Sequence, residues 1–380
     1  MSDLDLLLSV PTLTELVEQF PSFTDPLPYT KLFQQGGMEQ ADGDRIVFEK
    51  LQNDRRLGAV RGHESEAYSA TAPNRKMVEQ GLIHAAEKEI IHPKELFLRA
   101  GPGTFMRANA ENVIVRAVRR IVSRLLRTRE YVCSQLMLNT AGASLANSNT
   151  AFDAGAVTVA NTVTIDGGLQ TIAAGAAWDV AATKMLSAEN QLLAFLRKYE
   201  ENGFEAGTFI INRELAAAIS GNTEAQTWLV NNGGVTIETI QRALISGATR
   251  QGEAGMRDPF VGSVFSGLGG IPDWYVWDHG FVNRAGTFTR YHTDGLGVML
   301  PEDLSGVLGF AEGPVFVPSS NQVIGDAEQA ADLFAMRRGI QVYAYRTVDD
   351  TGNIVIVGRD TFAPLVRNEL GILNVTGLST

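Results

Sequence analysis

Cysteine is nearly absent. The single thiol, Cys133, rules out an intrachain disulfide framework and a cysteine-based zinc site, and inside a helical stretch it reads as a small buried side chain. No run of 18 apolar residues occurs, so no segment reads as a membrane-spanning helix. Ser2, Asp3 and Asp5 stand where a signal peptide would carry basic residues, and maturation in a reducing cytoplasm is expected.

Catalytic signatures are missing as well. The chain has no Gly-Lys-Ser or Gly-Lys-Thr for a phosphate loop, no Gly-x-Ser-x-Gly nucleophile turn and no His-Glu-x-x-His. Residues 267–270 read Gly-Leu-Gly-Gly, but Pro272 and an aromatic strand follow where a dinucleotide site needs a helix. Of the histidines, His84 and His92 flank Glu87 and Glu89, and His292 lies two residues from Asp294. Neither spacing puts two imidazoles on one helical face, so they read as surface or strand-exposed side chains. Asp278 and His279 are adjacent on a strand and point to opposite sides. No catalytic residue, metal or cofactor is expected.

What is present is ordinary globular material. With 380 residues, 44% hydrophobic and 20% charged, the chain suits one large or two to three ordinary domains. A net charge of −11 disfavours generic nucleic-acid binding because the surface repels phosphate, yet it suits a protein that lives beside nucleic acid without sticking to it.

The organising stretch is residues 108–138, free of Pro and Gly. Ile114, Val118, Ile121, Leu125, Val132 and Leu136 recur at steps of three, four or seven, so they share a face that must be buried. About 30 residues reach roughly 45 Å, against a radius of gyration near ~21 Å for a domain of this length. The helix should cross the molecule. Arg116, Arg119, Arg120, Arg124, Arg127 and Arg129 form the other face. They read either as a solvated helix surface or as a guanidinium row that meets carboxylates of a neighbouring subunit or a phosphate polymer.

Residues 1–42 hold one short amphipathic helix (12–20), after which Pro21, Pro26 and Pro28 predict extended backbone: an arm. Residues 44–93 read as a long two-stranded excursion with too few core positions to bury itself, which finds its partner surface on another subunit. Residues 143–177 are rich in Ala, Gly and Thr, with Val157, Val159 and Val163 suggesting strands of small side chains. From 181 the pattern predicts an α/β unit: helices at 187–199, 214–219, 224–230 and 237–244 around a strand at 207–211. The last third reads as strands, with a turn at 283–286, one helix at 326–336, a hairpin turning at 349–353 and a short tail.

That order of pieces resembles the major capsid protein of tailed bacteriophages, the lambda-type E family. The resemblance is carried by Tyr29-Thr-Lys-Leu-Phe through Ile46-Val-Phe-Glu, by the helix from Ile114-x-x-Arg-x-x-Arg-Arg-Ile to Arg129-Glu-Tyr, by Trp178-Asp179, and by Trp277-Asp278 through Gly286 to Leu300-Pro301. It implies an α+β fold, the capsid fold named after phage Hong Kong 97. In those terms residues 1–43 would be the N-terminal arm and 44–93 the E-loop. Residues 94–180 would be the P domain with its spine helix at 108–138, 181–300 the A domain, and 301–380 the remaining strands of both. The resemblance implies an icosahedral head of hexamers and pentamers around double-stranded DNA, assembled in the bacterial cytoplasm.

The partners it implies are copies of the chain itself, a portal, a separate scaffolding protein (no long coiled coil precedes residue 42) and a decoration protein, with no membrane. Its interface candidates are Arg116, Arg119, Arg120, Arg124 and Arg127 on the helix and Arg61, Glu64, Glu66, Arg75 and Lys76 in the loop. Two other readings stay open: an encapsulin-type compartment enclosing protein cargo, and a soluble α/β enzyme with a β-rich accessory domain, which would need a cleft of convergent polar groups.

Overall fold

The computed structural model describes residues 27–51, 75–92, 106–138, 143–144, 162–163, 170–171, 177–178, 180, 184–185, 191–224, 226–227, 272–277, 279–282, 286–292, 294–318, 334–346 and 353–378. The described chain opens with helix α1 (Pro28–Gln35) and strand β1 (Met38–Gln40). Extended backbone was expected at Pro28. Instead Pro28 starts α1, because the first helical turn has no partner for a backbone N–H and proline's fixed φ already suits it. Tyr29 and Phe33 are fully buried, so this end of the expected arm is packed into its own subunit.

Strands β2 (Arg45–Leu51) and β3 (Arg75–Gly81) pair antiparallel, as the two-stranded excursion requires. The next strand, β4 (Ile83–Ile91), departs from that reading. It pairs along its whole length with β17 (Ile354–Val366), from Ile83 opposite Phe362 to Ile91 opposite Ile354. About a third of the expected loop's described residues therefore belong to the subunit's own sheet.

The 3.6-residue apolar repeat becomes one helix, α2 (Met106–Leu138), and all six stripe residues are buried. Its 33 residues extend about 50 Å. The helix lies on a five-stranded sheet in which β1 pairs β13 (Leu308–Glu312), β13 pairs β17, and β17 also pairs β16 (Gln341–Arg346) and β4. The first half of α2 buries Ile114, Ile121 and Leu125 against Val342, Ala344, Ile354 and Ile356. The second half packs Val132 and Leu136 with Tyr29 and Phe33 of α1 and with Phe310 and Phe362 of the sheet.

Helix and sheet approach closely at Gly358. A Cβ there would stand 2.2 Å from Ile121 Cγ2 and 3.0 Å from Leu125 Cδ1. Gly358→Ala is expected to destabilise the subunit by ~1–3 kcal/mol through overpacking, read as a shifted urea midpoint at unchanged slope.

A second five-stranded sheet runs β7 (Gln170–Thr171), β18 (Leu373–Thr376), β12 (Gly297–Pro301), β8 (Ala206–Ile211), β9 (Asp273–Val276). Helices α3 (Leu192–Glu201) and α4 (Arg213–Ser220) accompany it. The side chain of Asn212 caps α4 by accepting from Leu215 N at 2.8 Å. Trp178, Phe209 and Trp274 form the centre of this core, with Trp274 edge-on to Phe209 at 4.8 Å between ring centroids. Strands β8 and β9 are parallel, as an α/β unit predicts, but β12 runs antiparallel to β8, and β18 arrives from the far end of the chain. The expected short tail is thus an inner strand of the second sheet.

Three further observations concern short elements, of which the first is a correction. Of the helix expected at 326–336, the described part is strand β15 (Phe334–Arg338), paired with β14 (Pro314–Pro318). Gly286, at φ +82°, belongs to the turn between β10 (Gly280–Val282) and β11 (Phe288–Arg290), where a hairpin was expected. In the 143–177 segment, β5 (Ala143–Ser144) pairs β6 (Thr162–Val163), so Val163 is in a strand. Val157, Val159 and the helices expected at 12–20 and 237–244 lie outside the described residues, as does most of 224–230.

Candidate assembly interface

Three of the two-stranded sheets are ribbons with one face on their own subunit and an apolar pair on the other. In the ribbon β2–β3, alternation sends Ile46 and Phe48 inward against Ala311, Ala363 and Leu365, while Val47 (57% exposed) and Met77 (66%) face out as diagonal neighbours. Gln80 anchors the inner face by donating to the Pro364 carbonyl at 2.9 Å.

In β10–β11, Phe281 turns inward onto Tyr131 of α2, its ring edge-on at 5.0 Å between centroids. Val282 and Phe288 lie directly opposite each other and stand out at 64% and 58% exposure. In β14–β15, Val315 and Val317 pack onto Tyr343, Val355 and Val357, whereas the directly opposed Phe316 and Met336 are exposed at 54% and 56%. Scattered exposed apolar side chains are routine, but paired ones on the outer face of a ribbon form small contiguous apolar patches. Sequence reading missed all three. The signal was there in Pro314-Val-Phe-Val-Pro318, where consecutive apolar residues leave no polar face for solvent.

The arginine row divides. Arg116, Arg119, Arg120, Arg124 and Arg127 are exposed on α2, on the side opposite the stripe. Arg120 donates to both carboxylate oxygens of Glu89 through Nε, at 3.1 Å, and Nη2, and Arg124 reaches Glu87 at 3.3 Å. These carboxylates belong to β4 of the same chain, and such exposed pairs contribute only ~0.2–1 kcal/mol each. Arg75 and Lys76 sit on β3 opposite Leu51 and Lys50, at the outer end of the described ribbon. Arg61, Glu64 and Glu66 lie outside the described residues.

Arg129 leaves the row altogether and is a correction to it. It is buried, with Nε and Nη2 on the two carboxylate oxygens of Asp360 at 2.6 Å each, and Nη2 on Glu312 at 3.1 Å. Its guanidinium also lies over the rings of Phe310 (5.2 Å) and Phe362 (5.6 Å). Burial opposes the charge, but the attraction and hydrogen bonds of Asp360, then those of Glu312, outweigh it and hold the pKa above the ordinary arginine value. The triad joins the C-terminal third of α2 to β13 and β17.

His292 is a further correction. It was expected exposed and is fully buried, with Nδ1 on the Tyr29 hydroxyl and Nε2 on the Leu296 carbonyl at 2.9 Å. His84 bonds Thr361 and His92 bonds Asn353. Among the described residues no three His, Cys, Asp or Glu side chains gather as metal ligands, and no helix is long and apolar enough to cross a membrane. Cys133 is buried, as expected.

A long helix laid across one sheet, a second sheet beside it and projecting ribbons define a shell subunit of the Hong Kong 97-like capsid class. A prophage protein of Escherichia coli CFT073, assigned as a capsid protein, shares this fold with a TM-score of 0.58 at 12% identity, covering 97% of this chain and 99% of its own. A virus-like particle from Pyrococcus furiosus gives 0.44 at 9% identity (98% and 100% covered), and a structure from Mycobacterium phage Che8 gives 0.44 at 10% (93% and 90%). No curated protein matches the chain. The phage major capsid protein E family matches residues 9–311, and the chain belongs to it. Its role is structural, as a capsid component of tailed-phage heads that assembles from copies of itself.

Proposed function

We propose that this chain is the repeating subunit of an icosahedral head, arranged as hexamers and pentamers around double-stranded DNA, and that it carries no catalytic activity. The observation that supports this best is the two-faced design of the three ribbons. Each spends its inner face on its own subunit and leaves an opposed or diagonal apolar pair facing out. In a closed lattice every copy repeats those contacts, so patches that are weak singly hold a shell together. The acidic surface keeps the enclosed genome from adhering.

In this reading the E-loop is narrower than residues 44–93. With β4 built into the subunit's own sheet, the part that reaches a neighbour is the β2–β3 ribbon and what it connects. In this reading the first sheet with α2 is the P domain and the second sheet with α3 and α4 the A domain, and β1, β4 and β7 fall outside the division expected at 94–180, 181–300 and 301–380. The exposed arginines and Arg61, Glu64, Glu66, Arg75 and Lys76 serve subunit contacts. A separate scaffolding protein, a portal and a decoration protein act with it in the host cytoplasm.

The test is deletion of residues 52–74, closed by a short Gly-Ser linker between Leu51 and Arg75, which face each other in the register. The variant should keep the wild-type circular dichroism and melt cooperatively, yet sediment as unassembled subunits. Wild-type shells from it would contradict the proposal.

A further inference from the structure

Two ionisable side chains hold helix α1 at opposite ends of one residue, Tyr29. From α2, Glu130 Oε1 accepts the Tyr29 backbone N–H at 3.0 Å, and Oε2 accepts the Thr30 N–H and the Thr30 hydroxyl at 3.0 Å each. The carboxyl thus supplies the N-terminal cap that α1's own Leu27 cannot. From the far side, the Tyr29 hydroxyl meets His292 Nδ1, and the two rings stack with 6.3 Å between centroids. The Leu296 carbonyl can only accept, so His292 carries a proton on Nε2, and in the neutral imidazole Nδ1 accepts a hydrogen bond from the Tyr29 hydroxyl. Glu130 and His292 are both fully buried, and among the described residues no cation is bonded to Glu130.

We propose that docking of α1 onto α2 is a coupled proton exchange: seating the helix neutralises both groups, Glu130 by taking up a proton and His292 by giving one up. The chemistry accommodates this. When Glu130 is protonated on Oε2, the Thr30 hydroxyl turns from donor to acceptor, and the Tyr29 N–H stays on Oε1.

Burial drives the two groups in opposite directions. It lifts Glu130 from 4.5 to about 7 against the lowering pull of the Thr30 and Tyr29 hydrogen bonds. It depresses His292 from 6.5 to about 4, against the Leu296 hydrogen bond and the Asp294 charge. The neighbouring tyrosines and the Cys133 thiol stay uncharged through neutral pH. Burial, with the Glu130 charge, raises Tyr29, Cys133 and Tyr291, and Arg129 is held charged by Asp360 and Glu312. Arg127 acts only by its charge on Tyr291, and Asp294 is paired with Arg290.

The sign of each linkage follows. Glu130 alone contributes stability that is complete below about pH 4.5 and is lost as pH rises through about 7. His292 alone contributes stability that is complete above about 6.5 and is lost as pH falls through about 4. Between about 5 and 6.5 the two cancel. The pair makes α1 docking indifferent to pH where either group alone would make it steep, and this inference does not rest on the shell reading.

Hydrogen exchange of the α1 amides in the full chain, read as protection factors from pH 5 to 7, tests it. Wild type should be nearly flat between pH 5 and 6.5. Glu130→Gln should lose protection as pH falls, and His292→Asn should lose it as pH rises, each by up to about tenfold per unit over its window. A steep wild-type profile, or two variants that slope the same way, overturns the proposal. Should one variant fail to fold, the wild-type profile and the other variant still decide.

Discussion

Arg129→Met should be the most damaging single substitution in the fold, lowering subunit stability by about 3–5 kcal/mol, because it leaves Asp360 and Glu312 facing an apolar side chain with no cation. Methionine nearly fills the volume, so the loss is electrostatic rather than a cavity. Asp360 is fully buried and Glu312 largely so, which denies them water in compensation. A double variant, Arg129→Met with Asp360→Asn, removes one stranded charge along with its partner. Its loss should therefore be well short of the sum of the two single changes. Urea unfolding of unassembled subunits measures both.

The second large effect is on assembly. Phe316→Lys with Met336→Glu should abolish shells while leaving the subunit's melting temperature within a degree or two. The two positions are directly opposite on β14–β15, so the introduced charges pair across the ribbon and preserve it, and neither wild-type side chain is buried in the subunit. Covering two such half-exposed side chains between copies is worth about half of the ~1.5–3 kcal/mol that full burial gives each, repeated at every copy, so the loss should be all or none by sedimentation velocity. Val282→Lys with Phe288→Glu is the matching change on β10–β11.

The long helix was legible because nothing competes with its repeat: no Pro, no Gly and six apolar residues in step. The same repeat carried a warning that went unread. Arg129 falls four residues after Leu125 and three before Val132, within the apolar stripe itself, and Glu130 falls between Leu126 and Cys133 on the adjoining buried row. Periodicity places a side chain on a face, but a charge there is usable only if partners from elsewhere meet it, and Asp360 is 231 residues away.

Long-range pairing explains the other misses. Strand β4 looked coreless because its partner β17 lies at the far end of the chain, and β18 looked like a tail for the same reason. For Pro28, a local rule was available, since proline opens helices as readily as it extends strands; the burial of Tyr29 and Phe33 decided between them. The interface was sought in charges, which sequence displays openly. The structure assigns two of those arginines to carboxylates of their own chain and exposes apolar pairs that only strand register could reveal.

The most direct measurement is a cryo-electron microscopy reconstruction of particles formed by the purified protein. Closed shells of uniform diameter are predicted, in which Val47 with Met77, Val282 with Phe288, and Phe316 with Met336 are each covered by another copy. Dispersed single subunits at high concentration, or shells that leave all three pairs open to solvent, would contradict it.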